Sequence, residues 1–299
     1  MPIIGDQIGL SLDRIIFATD FSPVAEKAAG YARNLAKRFS SSLTLAHVVD
    51  LSSVSTRSEG TMVGLPIDEM RHESAENQEQ LLDEMTMAGV RTTAHTMESH
   101  NPAAALVNFA KELRADLIVT GTNARQGLSK VICGSFAEGV IRHADCPVLT
   151  IGPKAKPVST DGQFSFRTVV FATDFGSNTA IKAAVALSFA QDSVAKIYLS
   201  HILEQPVQDI FQIVDLERKF EEKLRSLVPG SMYDWCSLER VVETGAAAPD
   251  ILALAKRVHA DLIVLGAKHS GTWLTHLVAG TVDKVLLDAE CPVLTVCAD

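Results

Sequence analysis

Apolar and polar positions along this chain fall into short blocks whose period keeps changing. Residues 14–19 form a run rich in Ile and Phe, the pattern of a strand buried on both faces. Ala25, Ala28, Ala29, Ala32, Leu35 and Ala36 then recur at helical spacing. Ser22 stands before them as an N-cap, and Pro23 fits the first turn, where its missing N–H costs nothing. The reading continues with a strand over 43–49 and a largely polar surface helix over 67–88, whose apolar positions are Ile67, Met70, Leu81, Leu82 and Met85. A strand over 90–97, a helix over 102–113, a strand over 116–121, a helix over 135–143 and a strand over 148–151 complete it. Five strands alternating with four helices predict an α/β fold with a parallel sheet covered on both faces. Right-handed crossovers prune the topologies, and the flavodoxin-like order 3-2-1-4-5 is expected. Ligands then bind at the carboxyl ends of the strands, beside the switch point between strands 1 and 4.

The same succession is written twice. Phe17-Ala18-Thr19-Asp20-Phe21 returns as Phe171-Ala172-Thr173-Asp174-Phe175. Ala115-Asp116-Leu117-Ile118-Val119 returns as Ala260-Asp261-Leu262-Ile263-Val264, and Cys146-Pro147-Val148-Leu149-Thr150 as Cys291-Pro292-Val293-Leu294-Thr295. The copies are 154 residues apart at the front of the unit and 145 at the back, so the first is nine residues longer. His47 and His201 keep the wider spacing, which puts the excess after them, most simply in the Ser- and Gly-containing stretch 52–64. Residues 152–163 carry two prolines and small polar residues and read as a linker. The expected division is a first domain over 1–152, a linker over 153–166 and a second domain over 167–299.

Composition narrows the class. Two domains fit 299 residues, and 47% apolar residues suffice for two cores. The net charge of −9, with no run of Lys and Arg, argues against nucleic-acid binding. The longest apolar runs are strand-sized, far short of the roughly 20 residues of a bilayer span. The first ten residues lack the basic start and apolar core of a signal peptide, so a cytoplasmic protein is expected. Cys133, Cys146, Cys236, Cys291 and Cys297 are odd in number and contain no C-x-x-C pair; buried, reduced thiols are expected rather than disulfides or a zinc site.

Two segments of each copy reach the switch point. One is Ala18-Thr19-Asp20. The other is the loop from Gly121 to Ser135, where Gly134-Ser135 opens a helix whose free N–H groups suit a phosphate. The segment Gly121-Thr122-Asn123-Ala124-Arg125-Gln126-Gly127 through Gly134-Ser135 resembles the signature loop of the universal stress protein family. So do the opening Ala18-Thr19-Asp20-Phe21-Ser22 and the closing Cys146-Pro147-Val148-Leu149. The resemblance covers nearly the whole chain, twice.

That resemblance implies two tandem flavodoxin-like domains of the adenine-nucleotide-hydrolase-like kind. It also implies a loop G-x2-G-x9-G-[ST] that wraps the ribose and phosphates of ATP, or of AMP or ADP, with Mg²⁺ when the ligand is ATP. By position, Ala18, Thr19, Asp20 and Val48 would face the nucleoside. Gly121, Ala124, Gly127, Gly134, Ser135 and the Phe136 amide would face ribose and phosphates. Ala124 departs from the pattern. If its position needs φ > 0, Ala is strained there by roughly 1 kcal/mol or more; if only close approach is needed, one methyl is tolerated. The second copy departs further, with His269, Ala279 and Gly280 in place of Ala124, Gly134 and Ser135. A one-residue slide recovers Gly280-Thr281 as a helix start at the expense of the spacing. Loss of nucleotide binding in the second copy is expected.

Blander readings cover the remaining residues. Asp20 and Asp174 have no local His, Lys or second carboxylate for catalysis. His47 and His201 read as packed or hydrogen-bonded, and His95 and His100 lack a third metal ligand. Ser22 caps a helix without any G-x-S-x-G context. P-loop and adenylating signatures are absent. A binding and regulatory module is therefore favoured over an enzyme such as a slow ATPase. The alternative is a scaffold or sensor working through contacts with an unidentified protein partner. Nucleotide in the first copy would order residues 52–64 and 121–135 and change the surface such a partner reads. Strands over 146–151 and 291–296 are edges that invite pairing, and in the family those edges form dimers. An internal pseudo-dimer is expected, with a homodimer as a further assembly.

Overall fold

The computed structural model describes residues 3–4, 7–8, 11–53, 67–123, 134–158, 164–204, 210–234, 236–267 and 280–297. The first half runs β1 (Arg14–Ala18), α1 (Pro23–Phe39), β2 (Ser42–Asp50), α2 (Ile67–Met87), β3 (Arg91–Ser99), α3 (Pro102–Leu113), β4 (Leu117–Gly121), α4 (Ser135–His143) and β5 (Val148–Ile151). The second runs β6 (Thr168–Ala172), α5 (Thr179–Ser193), β7 (Lys196–Leu203), α6 (Ile210–Ser226), β8 (Ser237–Thr244), α7 (Ala247–Arg257), β9 (Leu262–Ala267), α8 (Thr281–Asp288) and β10 (Val293–Cys297). Residues 54–66, where most of the extra length was expected, lie outside the described residues. Within them, α2 is 21 residues long against 17 for its counterpart α6.

Local chemistry sets the element ends. The Ser22 hydroxyl accepts from Ala25 N–H at 3.3 Å and Pro23 follows it, as the N-terminal signature predicts. β1 ends at Ala18, one residue before the sequence pattern does. Thr19 Oγ1 captures Phe21 N–H, Asp20 Oδ1 captures Ser22 N–H, and Phe21 turns left-handed at φ 57°. The second copy repeats this turn with Thr173, Asp174 and Phe175. α2 is less polar in role than in composition. Gln78 is only 8% exposed; its amide donates to the Leu45 and His95 carbonyls and accepts the Thr96 hydroxyl.

The ten strands form one sheet in the order β8-β7-β6-β9-β10-β5-β4-β1-β2-β3. Each half shows the order 3-2-1-4-5 with parallel neighbours. The two fifth strands pair antiparallel, with Leu149 opposite Leu294. Each half would expose that edge alone; together they cover it. Helices α1, α2, α5 and α6 pack on one face of the sheet and α3, α4, α7 and α8 on the other, and both apolar cores draw residues from both halves. No helix among the described residues is long and apolar enough to cross a membrane.

The expected linker is not slack where it is described. Ala155 is 1% exposed. Lys27 Nζ donates to the Pro153 and Ala155 carbonyls, and the Tyr31 hydroxyl donates to the Lys156 carbonyl at 2.8 Å. Tyr31, Phe164, Phe166 and Phe189 form a chain of edge-to-face aromatic contacts across the seam. Arg38 of α1 reaches Asp192 of α5 and the Phe164 carbonyl. The segment that reads as a linker thus offers the carbonyls of Pro153, Ala155 and Lys156 as acceptors to side chains of α1.

Candidate functional site

At the carboxyl ends of β1, β2 and β4, a cavity of about 530 Å³ opens beside the switch point, in the size range of small-ligand sites. Strand ends line it with Ala18, Thr19, Asp20, Ala46, Val48, Asp50 and Thr120, and Ser52 lies just beyond β2. Two helix starts line it as well: Asn101, Pro102 and Ala103 at α3, and Gly134, Ser135, Phe136 and Ala137 at α4. Gly121, Thr122, Asn123 and His100 complete the rim.

Ala18, Thr19, Asp20, Val48, Gly121, Gly134, Ser135 and Phe136, all singled out from the sequence, therefore line one cavity. Ala124 and Gly127 lie outside the described residues, so the question of φ at Ala124 falls there too. Sequence reasoning passed over Asp50 and Asn101, named Ser52, Thr122 and Asn123 only as parts of the two loops that nucleotide would order, and gave His100 no role. The Asn101-Pro102 pair carries the N-cap and first-turn signature of a helix start; its place on the cavity wall depends on the sheet order.

Two helix N-termini face this space with neutral caps. The Asn101 amide oxygen accepts from Ala104 N–H at 3.2 Å. Gly134 N–H donates to Thr122 Oγ1 at 3.2 Å. The acid in the first turn of α4, Glu138, pairs instead with Arg142 at 2.6 Å. Neither described cap places a full negative charge on the helix end, so its partial positive charge remains available to an anion. A Cβ on Gly134 would meet Asn123 O and Thr122 Oγ1 at 3.5–3.6 Å, so a small side chain fits there and a large one fills the cavity. Gly121 has another reason to be glycine. A Cβ there would lie 3.1 Å from Ala25 N and the Val24 carbonyl carbon, where α1 crosses the end of β4.

Strand 1 is held at its tip from behind. His47 Nδ1 donates to the Thr19 carbonyl at 2.8 Å, its Nε2 lies 3.1 Å from Ser74 Oγ, and its ring rests on Phe21. His201 makes the same bond to Thr173 at 2.7 Å and stacks on Phe220. Both histidines are packed and hydrogen-bonded, as their positions suggested. His95 stacks flat on Phe109.

The second half differs at this point. Its loop over 268–279 lies outside the described residues, His269 and Ala279 included. α8 starts at Thr281 with Gly280 as N-cap, the one-residue slide that fixed spacing had disfavoured. α8 is 8 residues long where α4 has 9, which absorbs the slide.

Geometry thus defines a class: a tandem α/β protein with a small-ligand cavity at the switch point of its first half, joined edge to edge with a second half of the same plan. The universal stress protein family model matches residues 11–152 and 165–296. A universal stress protein of Methanocaldococcus jannaschii is 38% identical over 148 residues, covering 46% of this chain and 81% of that protein. A putative universal stress protein of Staphylococcus aureus is 29% identical over 155 residues, covering 52% of this chain and 92% of that protein. Among solved structures, a universal stress protein from Archaeoglobus fulgidus superposes with a TM-score of 0.74 at 18% identity, over 97% of each chain. A putative universal stress protein from Pseudomonas aeruginosa does so at 0.61 and 18% identity, over 96% of this chain and 93% of that one. This chain belongs to the universal stress protein family and carries two such domains in tandem.

Proposed function

We propose that this protein is a cytoplasmic stress-response regulatory module whose first domain binds ATP or another adenine nucleotide. The observation that carries the reading is the cavity itself. Residues matched to the nucleoside end by family resemblance, Ala18, Asp20 and Val48, line it. So do two helix starts whose described caps are neutral groups. An apolar floor with few polar groups suits a heterocyclic base, and helix ends with unspent positive character suit phosphates. Asp20 would hold ribose hydroxyls, and the α4 start would hold phosphate oxygens, with Mg²⁺ neutralising the triphosphate when ATP is bound. Binding would alter the surface around the cavity mouth, which a protein partner reads. Self-association into a homodimer of such chains is a further part of this reading.

Native mass spectrometry of the purified protein, followed by ATP titration calorimetry with and without Mg²⁺, tests it. One equivalent of adenine nucleotide is expected, lost in Gly134→Trp and weakened in Asp20→Ala. No nucleotide carried through purification and no heat at millimolar ATP would overturn the reading and leave a scaffold acting through its surfaces.

A further inference from the structure

A second cavity, of about 960 Å³, opens at the amino ends of β6, β9 and β10, at the upper end of the size range of small-ligand sites. Three parts of the chain line it: Tyr31 of α1, the linker on either side of 159–163, and α7 with the turns that lead into β9 and β10. Val158, Phe164 and Leu252 are half-buried in its lining, beside the buried Phe166. Phe164 is held edge-on between Tyr31 and Phe166, with ring centroids 5.8 and 4.9 Å away, so this apolar surface is formed in advance. The charged groups of the lining are unevenly committed. Lys154 pairs with Asp288, and Lys156 with Glu290 at 3.2 Å. Asp261 accepts from the Arg167 and Thr168 amides, both at 3.0 Å. All three lining acids thus have partners. Lys256 and His259, both exposed, make no side-chain hydrogen bond or ion pair among the described residues. The first half differs at this place. Lys111, the counterpart of Lys256 by the 145-residue repeat, pairs with Asp145 at 3.4 Å. In the second half the matching acid, Glu290, goes to Lys156 of the linker, and Lys256 is left over. Residues 159–163, outside the described residues, add one acid, Asp161.

We propose that this cavity is a second ligand site, for a small organic anion with an apolar body. Phe164, Val158 and Leu252 take the body. Lys256, with an N–H of the His259 imidazole, takes the carboxylate or sulfonate. A neutral ligand of the same shape buries the same apolar area but leaves the lysine unused. Because the lining comes from α1, the linker and α7, an occupant touches both halves and stabilises the seam between them. The site is independent of the nucleotide reading of the first cavity.

The test uses the full chain with Gly134→Trp, which blocks the first cavity, and two fluorescent probes: anilinonaphthalene sulfonate, an aromatic anion, and phenylnaphthylamine, its neutral counterpart. Saturable binding of one sulfonate per chain is expected, with the neutral probe bound at least about fivefold more weakly. Lys256→Glu should weaken the sulfonate about tenfold at low salt, less as salt is added, and leave the neutral probe unchanged. Ala253→Phe, which places a ring in the cavity from an exposed position on α7, should weaken both probes about tenfold or more. Asp161→Asn should bind the sulfonate at least as tightly as its parent. No saturable binding overturns the proposal. So does sulfonate binding that ignores both Lys256→Glu and Ala253→Phe, which would mark adhesion to apolar surface elsewhere. Equal affinity for the two probes overturns the anion preference. If Ala253→Phe does not fold by circular dichroism, Lys256→Glu, a change at an exposed side chain, decides alone.

Discussion

Gly152 stands where the first domain meets α8 of the second, and its replacement by alanine probes the seam directly. A Cβ at this position would lie 2.2 Å from the Leu286 carbonyl oxygen. An ordinary carbon–oxygen contact is about 3.3 Å, so the two backbones must part by about 1 Å. Neither can yield by a rotamer change, because both atoms belong to the framework. The bonds nearby are Ala155 N–H to the Gly152 carbonyl at 3.2 Å and Lys156 N–H to the Glu290 carbonyl at 3.0 Å. Overpacking costs about 1–3 kcal/mol, and weakening one such bond adds about 1 kcal/mol, so a loss of about 3 kcal/mol is expected. At about 2 °C per kcal/mol for a chain of this size, Gly152→Ala should melt about 6 °C below the parent. Gly230→Ala is the control, since its Cβ meets nothing within 4 Å. Thermal unfolding followed by circular dichroism decides it. A Gly152→Ala protein that melts within 1 °C of the control would refute the claim that the seam is rigid at this point.

Two further outcomes follow from buried titratable groups. Burial pushes the Cys146 and Cys291 thiols up to about 12, so at pH 8 their alkylation by iodoacetamide should run about a thousandfold slower than that of a free thiol; mass-spectrometric mapping that finds either labelled at the rate of the urea-unfolded chain would contradict the burial. Tyr31, 6% exposed in the seam, has its phenol raised above the ordinary value mainly by burial, so the folded state favours the neutral form. Its contribution is fully present below pH 10 and is lost as pH rises beyond that. Tyr31→Phe should therefore cost about 1 kcal/mol at pH 7, from the lost bond to Lys156, and the difference from the parent should shrink between pH 10 and 12; urea titrations giving a pH-independent difference would exclude this linkage.

The strand–helix alternation, the duplication and the start of α1 were legible in the sequence because they rest on neighbours. Period-2 and period-3.6 spacing, a serine before Pro23 and a repeated Thr-Asp-Phe turn act over a few residues. Crossover handedness pruned the topologies to a few, among which the flavodoxin-like 3-2-1-4-5 order was the one expected, and the pairing of β5 with β10 was expected from the exposed edges together with the family resemblance. Eight of the residues chosen for the ligand site line the cavity because the order of strands alone carries them to the switch point.

What the pattern missed depends on partners far away in the chain. Gln78 looked like part of a solvated helix face, and only the packing of α2 over β2 and β3 shows two carbonyls needing its amide. Prolines 153 and 157 looked like a tether, and only the approach of α1 turns that segment into part of a core. Nothing local marks Glu204 as the acceptor of an N–H 43 residues away, that of Ala247 at the start of α7. Local periodicity determined which elements exist and roughly where each begins. The meeting of distant backbone amides, carbonyls and side chains decided which cavity those elements enclose and which charges face it.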